Sequence, residues 1–95
     1  MNKQEYLLVI LSEECAEVIQ EVSKVLRFGP NGSHPKYIGT NKERLNNEIG
    51  DLIGIISMLR DEGIVEENFE KKVLSKMSKV EKYLKYSKSI GILTE

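Results

Sequence analysis

Cysteine and histidine occur once each in this 95-residue chain, as Cys15 and His34, and proline only twice, at Pro30 and Pro35. One cysteine excludes an intrachain disulfide and fits a reducing cytoplasm, which is the expected location. One histidine excludes most zinc centres and His-based catalytic sites, and with them the Glu-x-x-His motifs of di-iron carboxylate bundles. A basic excess is missing too: 14 Lys and Arg stand against 15 Asp and Glu, for a formal charge of −1. Neither a nucleic-acid polymer nor a membrane surface is therefore expected as a partner. Long apolar runs are also lacking. The longest, Leu7 to Leu11, is far too short to cross a bilayer, and no signal-peptide core follows Met1-Asn2-Lys3.

What is present fits one small domain spanning residues 1–95, with 40% apolar and 31% charged residues. Both prolines lie in Gly29-Pro-Asn-Gly-Ser-His-Pro-Lys-Tyr-Ile-Gly39, the one clear loop. Before it, Glu5 to Phe28 lacks Gly and Pro, and Leu7, Leu8, Leu11, Cys15, Val18, Ile19, Val22, Val25 and Leu26 recur at helical spacing. Gly29 suits the C-terminal stop. After the loop, Thr40-Asn-Lys-Glu43 has the form of a capping box. A second apolar set then runs from Leu45 through Ile49, Leu52, Ile53, Ile56 and Leu59 to a stop at Gly63. A third amphipathic segment places Phe69, Val73, Met77, Val80 and Leu84 on one face, with seven lysines between Lys71 and Lys88 elsewhere. The chain reads as all-α, an antiparallel helical bundle of about three helices. Because the first helix is apolar around much of its circumference, completion by oligomerisation, as a homodimer or homotetramer, is expected.

Charge falls in unexpected places on this pattern. Glu14, Glu17 and Glu21 share one side of the first helix and border its apolar stripe, whereas Glu13 and Gln20 point away. In the second helix, Glu48 lies within the apolar sector and Asp51 beside it. Glu14-x-x-Glu17 and Glu48-x-x-Asp51 each set two carboxylates one turn apart. Antiparallel packing would let the pairs face each other, and converging oxygen donors suit a hard divalent cation, Mg²⁺ or Mn²⁺. The plain alternative is a solvated acidic face. Gly50 and Gly54, with Ser57, form a flat strip beside Asp51, at a helix cost of about 1 kcal/mol per glycine. Helix packing is the simpler explanation for Gly54, and room for a ligand is considered at Gly50.

Ser12-Glu-Glu-Cys-Ala-Glu17 followed by Glu48-Ile-Gly-Asp51-Leu resembles the signature of the MazG-like all-α nucleoside triphosphate pyrophosphohydrolases. The resemblance covers about two thirds of the chain. It implies that Glu14, Glu17, Glu48 and Asp51 bind Mg²⁺ and form the catalytic set. Glu13 matches the doublet but points the wrong way. The implied reaction is hydrolysis of a (d)NTP between the α and β phosphates, giving a monophosphate and pyrophosphate. The long Gly-Pro loop departs from the shorter connection of many members, so base and sugar preference stay open.

That chemistry needs no covalent nucleophile, and Cys15, on the apolar stripe, reads as core filling. Either Glu14 or Glu17 would orient or deprotonate the water. Outer phosphates call for cations. Lys24 and Arg27 on the first helix and Lys76 and Lys79 on the third are the candidates, with Tyr83 and Asn47 as further substrate contacts. His34 reads as a loop residue. The competing function is a non-catalytic, antitoxin-like interaction or adaptor module, whose acidic pairs would bridge partner lysines without needing magnesium.

Overall fold

The computed structural model describes residues 1–95, which form three helices and no strand: α1 (Lys3–Phe28), α2 (Asn41–Asp61) and α3 (Glu70–Ser89). No helix is long and apolar enough to cross a membrane. The contacts divide the chain into two compact units, Met1–Val65 and Glu66–Glu95.

The first unit is a helical hairpin. α1 starts two residues earlier than periodicity predicts because Asn2 caps it. The Asn2 side chain accepts from the Glu5 N–H at 2.8 Å, and the Glu5 carboxylate accepts from the Asn2 N–H at 3.3 Å. Gly29 ends the helix at φ 85°, a backbone region that residues with a Cβ rarely enter, and its N–H donates to Val25 C=O. Thr40 caps α2 as expected, its hydroxyl accepting from the Glu43 N–H at 3.1 Å. Only this half of the box forms. The Glu43 carboxylate lies instead against Gly39, where a Cβ would come within 3.2 Å of it.

Interhelical pairs run in opposite order along the two helices, which makes them antiparallel. Lys3 meets Glu62 at 2.8 Å at one end, and Arg44 meets Glu21 at 3.5 Å toward the other. The hairpin core is Leu7, Ile55 and Leu59, flanked by Ile10, Leu11, Leu52 and Val65. The Leu59 carbonyl also closes the chain reversal, accepting from the N–H groups of Ile64 and Val65.

A clasp of hydrogen bonds closes the neck of the loop. Asn41 is completely buried. Its N–H donates to Gly32 C=O at 2.8 Å and its side-chain amide to Gly29 C=O at 2.9 Å, while the Lys42 N–H donates to Pro30 C=O.

Two expectations change here. Cys15 is exposed rather than filling a core, because α2 covers only one side of α1. For the same reason Ile19 (69%) and Leu26 (80%) remain open to solvent. Gly54 is not pressed by a neighbour within the hairpin: a Cβ built there or at Gly50 would meet nothing within 4 Å. Gly54→Ala is therefore expected to stabilise the dilute chain by about 1 kcal/mol, through helix propensity alone. Chemical denaturation at low protein concentration checks this, and a loss of stability would mean that something does pack on that strip.

The second unit is built on α3. Phe69 occupies its N-cap without a capping side chain, and its carbonyl accepts from the N–H groups of Lys72 and Val73. No residue of this helix is buried, and Val73, Met77, Val80 and Leu84 on its apolar face are all exposed. After Ser89 the chain turns through Gly91, and the N–H groups of Ile92 and Leu93 return to Ser87 C=O.

Candidate metal centre

Antiparallel register brings Glu14 and Glu17 of α1 to Glu48 of α2. Oxygens of Glu14, Glu17 and Glu48 all lie within 4.8 Å of one another. Glu14 and Glu48 are half-buried, Glu17 is exposed, and Glu13 is exposed and outside the triad. Asp51 is also outside the triad, yet close enough for its charge to act on both Glu14 and Glu48.

The electrostatic cost of this convergence shows in the protonation. Glu48 is pushed up to about 7, first by its hydrogen bond with Glu17, then by burial and by the charges of Glu17, Asp51 and Glu14. Glu14 is also raised, by burial first and then by Glu17, Asp51 and Glu13. One oxygen of Glu14 and one of Glu48, both Oε2, are buried and have no hydrogen-bond partner. Buried acceptors without donors are unfavourable. The site therefore lacks positive charge and donors, while presenting only oxygen ligands.

These shifts carry a pH dependence. A carboxyl whose folded-state value exceeds its unfolded one stabilises the fold when protonated, so that contribution disappears as pH rises toward the folded value. In chelator, the melting temperature is expected to fall between about pH 5 and pH 7. Glu48→Gln should flatten most of that slope; an unchanged slope in thermal melts would assign it to other groups.

The remaining candidates have varied settings. Lys24 donates to the Glu21 carboxylate at 3.0 Å and lies 4.4 Å over the Tyr37 ring. Arg27 stacks on Phe28 at 4.8 Å. Asn47 is exposed and shares a groove at the start of α2 with Asn31, Thr40 and Asn46. Asn46 is spent locally, its side chain donating to Lys42 C=O. On α3, Lys76 and Tyr83 line a shallow groove with Val80, Leu84 and Ser87, and Lys79 is exposed.

Three residues beside the acidic triad were not selected by sequence reading. Glu21, only 4% exposed, follows Glu17 by one turn and forms ion pairs with both Lys24 and Arg44. Arg44 precedes Glu48 by one turn and lies 4.0 Å over Tyr37. The four-residue spacings Glu17–Glu21 and Arg44–Glu48 were the available signal. The Tyr37 contacts had none, because a loop carries no periodicity.

Comparisons with protein-family models, with curated proteins and with solved structures returned no match.

Proposed function

We propose that this chain is a Mg²⁺-dependent nucleotide pyrophosphohydrolase that cleaves a nucleoside triphosphate between its α and β phosphates. The observation that carries the reading is the meeting of Glu14-x-x-Glu17 with Glu48 across the hairpin, leaving two buried carboxylate oxygens unpartnered. An all-oxygen donor set with unmet acceptors fits a hard divalent cation better than it fits a lysine-binding surface. The resemblance to the MazG-like pyrophosphohydrolases rests on these same positions. Glu14, Glu17, Glu48 and Asp51 would hold Mg²⁺, for which Mn²⁺ can substitute.

When bound, the cation supplies the positive charge that lets a polyphosphate approach four acidic residues. The chain itself supplies the rest. Antiparallel packing holds oxygens of Glu14, Glu17 and Glu48 within 4.8 Å of one another, so the donor set is assembled by the hairpin itself. Glu14 or Glu17 orients the attacking water and takes its proton. The hydrolysis breaks one P–O bond, adds water across it and leaves a nucleoside monophosphate and pyrophosphate. Exposed apolar residues on the hairpin, among them Ile19, Leu26 and Ile53, support an assembly of two or four copies as the working form.

The test is to incubate the protein with each ribo- and deoxyribonucleoside triphosphate and Mg²⁺ and to resolve products by ion chromatography. Monophosphate and pyrophosphate in equal amounts are expected, with none formed in chelator. Orthophosphate as sole product, or no turnover of any triphosphate, would sink the reading and favour the interaction module.

A further inference from the structure

Next to the acidic triad, one helical turn along both helices, the sign of the charge reverses. Glu21 Oε1 accepts from Lys24 Nζ at 3.0 Å and lies 3.5 Å from an Arg44 terminal nitrogen. Both cations are drawn over Tyr37, at 4.4 and 4.0 Å from the ring centroid. The ring in turn rests 4.9 Å from His34, which packs edge-on against Phe28 at 5.3 Å. Burial first, and then the charges of Lys24, Lys36, Arg27 and Arg44, lower the His34 pKa, so four cations act on this end of the hairpin.

Glu21 takes up only part of the donor capacity of its two partners. A guanidinium carries five N–H donors and an ammonium three. Arg44 has a single long contact to Glu21, and its Nε is buried with no partner. Glu21 is itself more than nine-tenths buried, with its second oxygen, Oε2, unpartnered. The carboxylate therefore fixes the two cations in place without saturating them, and Tyr37 restrains them from the loop side. A planar guanidinium with spare donors matches the oxygens of a phosphate.

We propose that Arg44 and Lys24, positioned by Glu21 and braced on Tyr37, form an anion-binding arm that takes the outer phosphates of the polyphosphate substrate. This rests on the metal-centre reading, which places the scissile phosphates at Glu14, Glu17 and Glu48. It adds a direction: the departing pyrophosphate leaves toward the loop, and the nucleoside extends the opposite way along the hairpin. Glu21 is a positioning residue and touches no reacting atom.

The experiment uses the full chain, with inorganic pyrophosphate as probe in Mg²⁺ buffer, followed by titration calorimetry. Wild-type protein is expected to bind it, and Arg44→Met and Lys24→Met to weaken binding by about tenfold or more each. Arg44→Lys keeps a positive partner for Glu21, and so the fold. It is expected to bind several-fold more weakly than wild type, since an ammonium has no fork. Lys42→Met, an exposed cation of the same end, should stay within about twofold. Mn²⁺ binding measured without pyrophosphate should be the same in all variants. Pyrophosphate affinity unaffected by Arg44→Lys and Lys24→Met, or reduced equally by Lys42→Met, overturns the arm. Wild-type protein that binds no Mn²⁺ refutes the metal centre separately, and an Arg44-dependent pyrophosphate affinity in that protein still upholds the anion site.

Discussion

Glu48→Gln is expected to lower pyrophosphate release from a nucleoside triphosphate by about two to three orders of magnitude, with helicity intact. Glutamine keeps the shape and the contact with Glu17 but removes the negative charge a divalent ion requires. Asp51→Asn should act in the same direction, because it removes a carboxylate from the set proposed to hold the cation. Stability should move the opposite way. In chelator above about pH 7, Glu48→Gln relieves like-charge repulsion and raises the melting temperature. A loss of activity caused by unfolding would show both quantities falling together. Wild-type turnover in both variants would remove these residues from the mechanism.

Leu59→Ala is expected to cost about 2–5 kcal/mol, the range for a buried leucine whose cavity does not fully collapse. Leu59 is the one fully buried apolar side chain, and only Leu7 and Ile55 share the core with it. A unit of this size has roughly 3–10 kcal/mol of total stability, so the substitution should remove most of it. Urea denaturation followed by circular dichroism checks this. By contrast, Ile19→Ala, on the uncovered side of α1, should change monomer stability by less than about 0.5 kcal/mol. Equal losses at the two positions would mean that Ile19 is covered in solution.

The helices were legible because their signals are local. Gly29, Thr40 and Gly63 mark ends by backbone and capping chemistry that needs no partner, and the 3.6-residue period gives the segments between them. The meeting of Glu14 and Glu17 with Glu48 was legible for a related reason, although Asp51 stands outside that triad. Once two helices are antiparallel, Glu-x-x-Glu and Glu-x-x-Asp can be aligned from spacing alone. What spacing does not contain is the depth at which each residue sits. Cys15 shares the period of the apolar stripe yet is exposed, because one covering helix shields only part of a cylinder. Glu21 resembles Glu17 in direction but is buried, because Arg44 and Lys24 close over it. That burial depends on a cross-helix contact of long sequence separation, which a local pattern does not register. Tyr37 escaped for a third reason, since its contacts arise from the path of an irregular loop.

The clasp at Asn41 has an evolutionary consequence. By fastening the two strands of the connection at its neck, it makes the chain beyond, from Ser33 to Gly39, a closed eyelet. Residues added to or deleted from that eyelet leave the alignment of the acidic pairs untouched and change only what is held over Lys24 and Arg44. On the proposed reading, the hairpin thus separates a fixed reaction centre from an adjustable rim, and diversification of ligand choice among descendants of such a chain would be concentrated in those few positions.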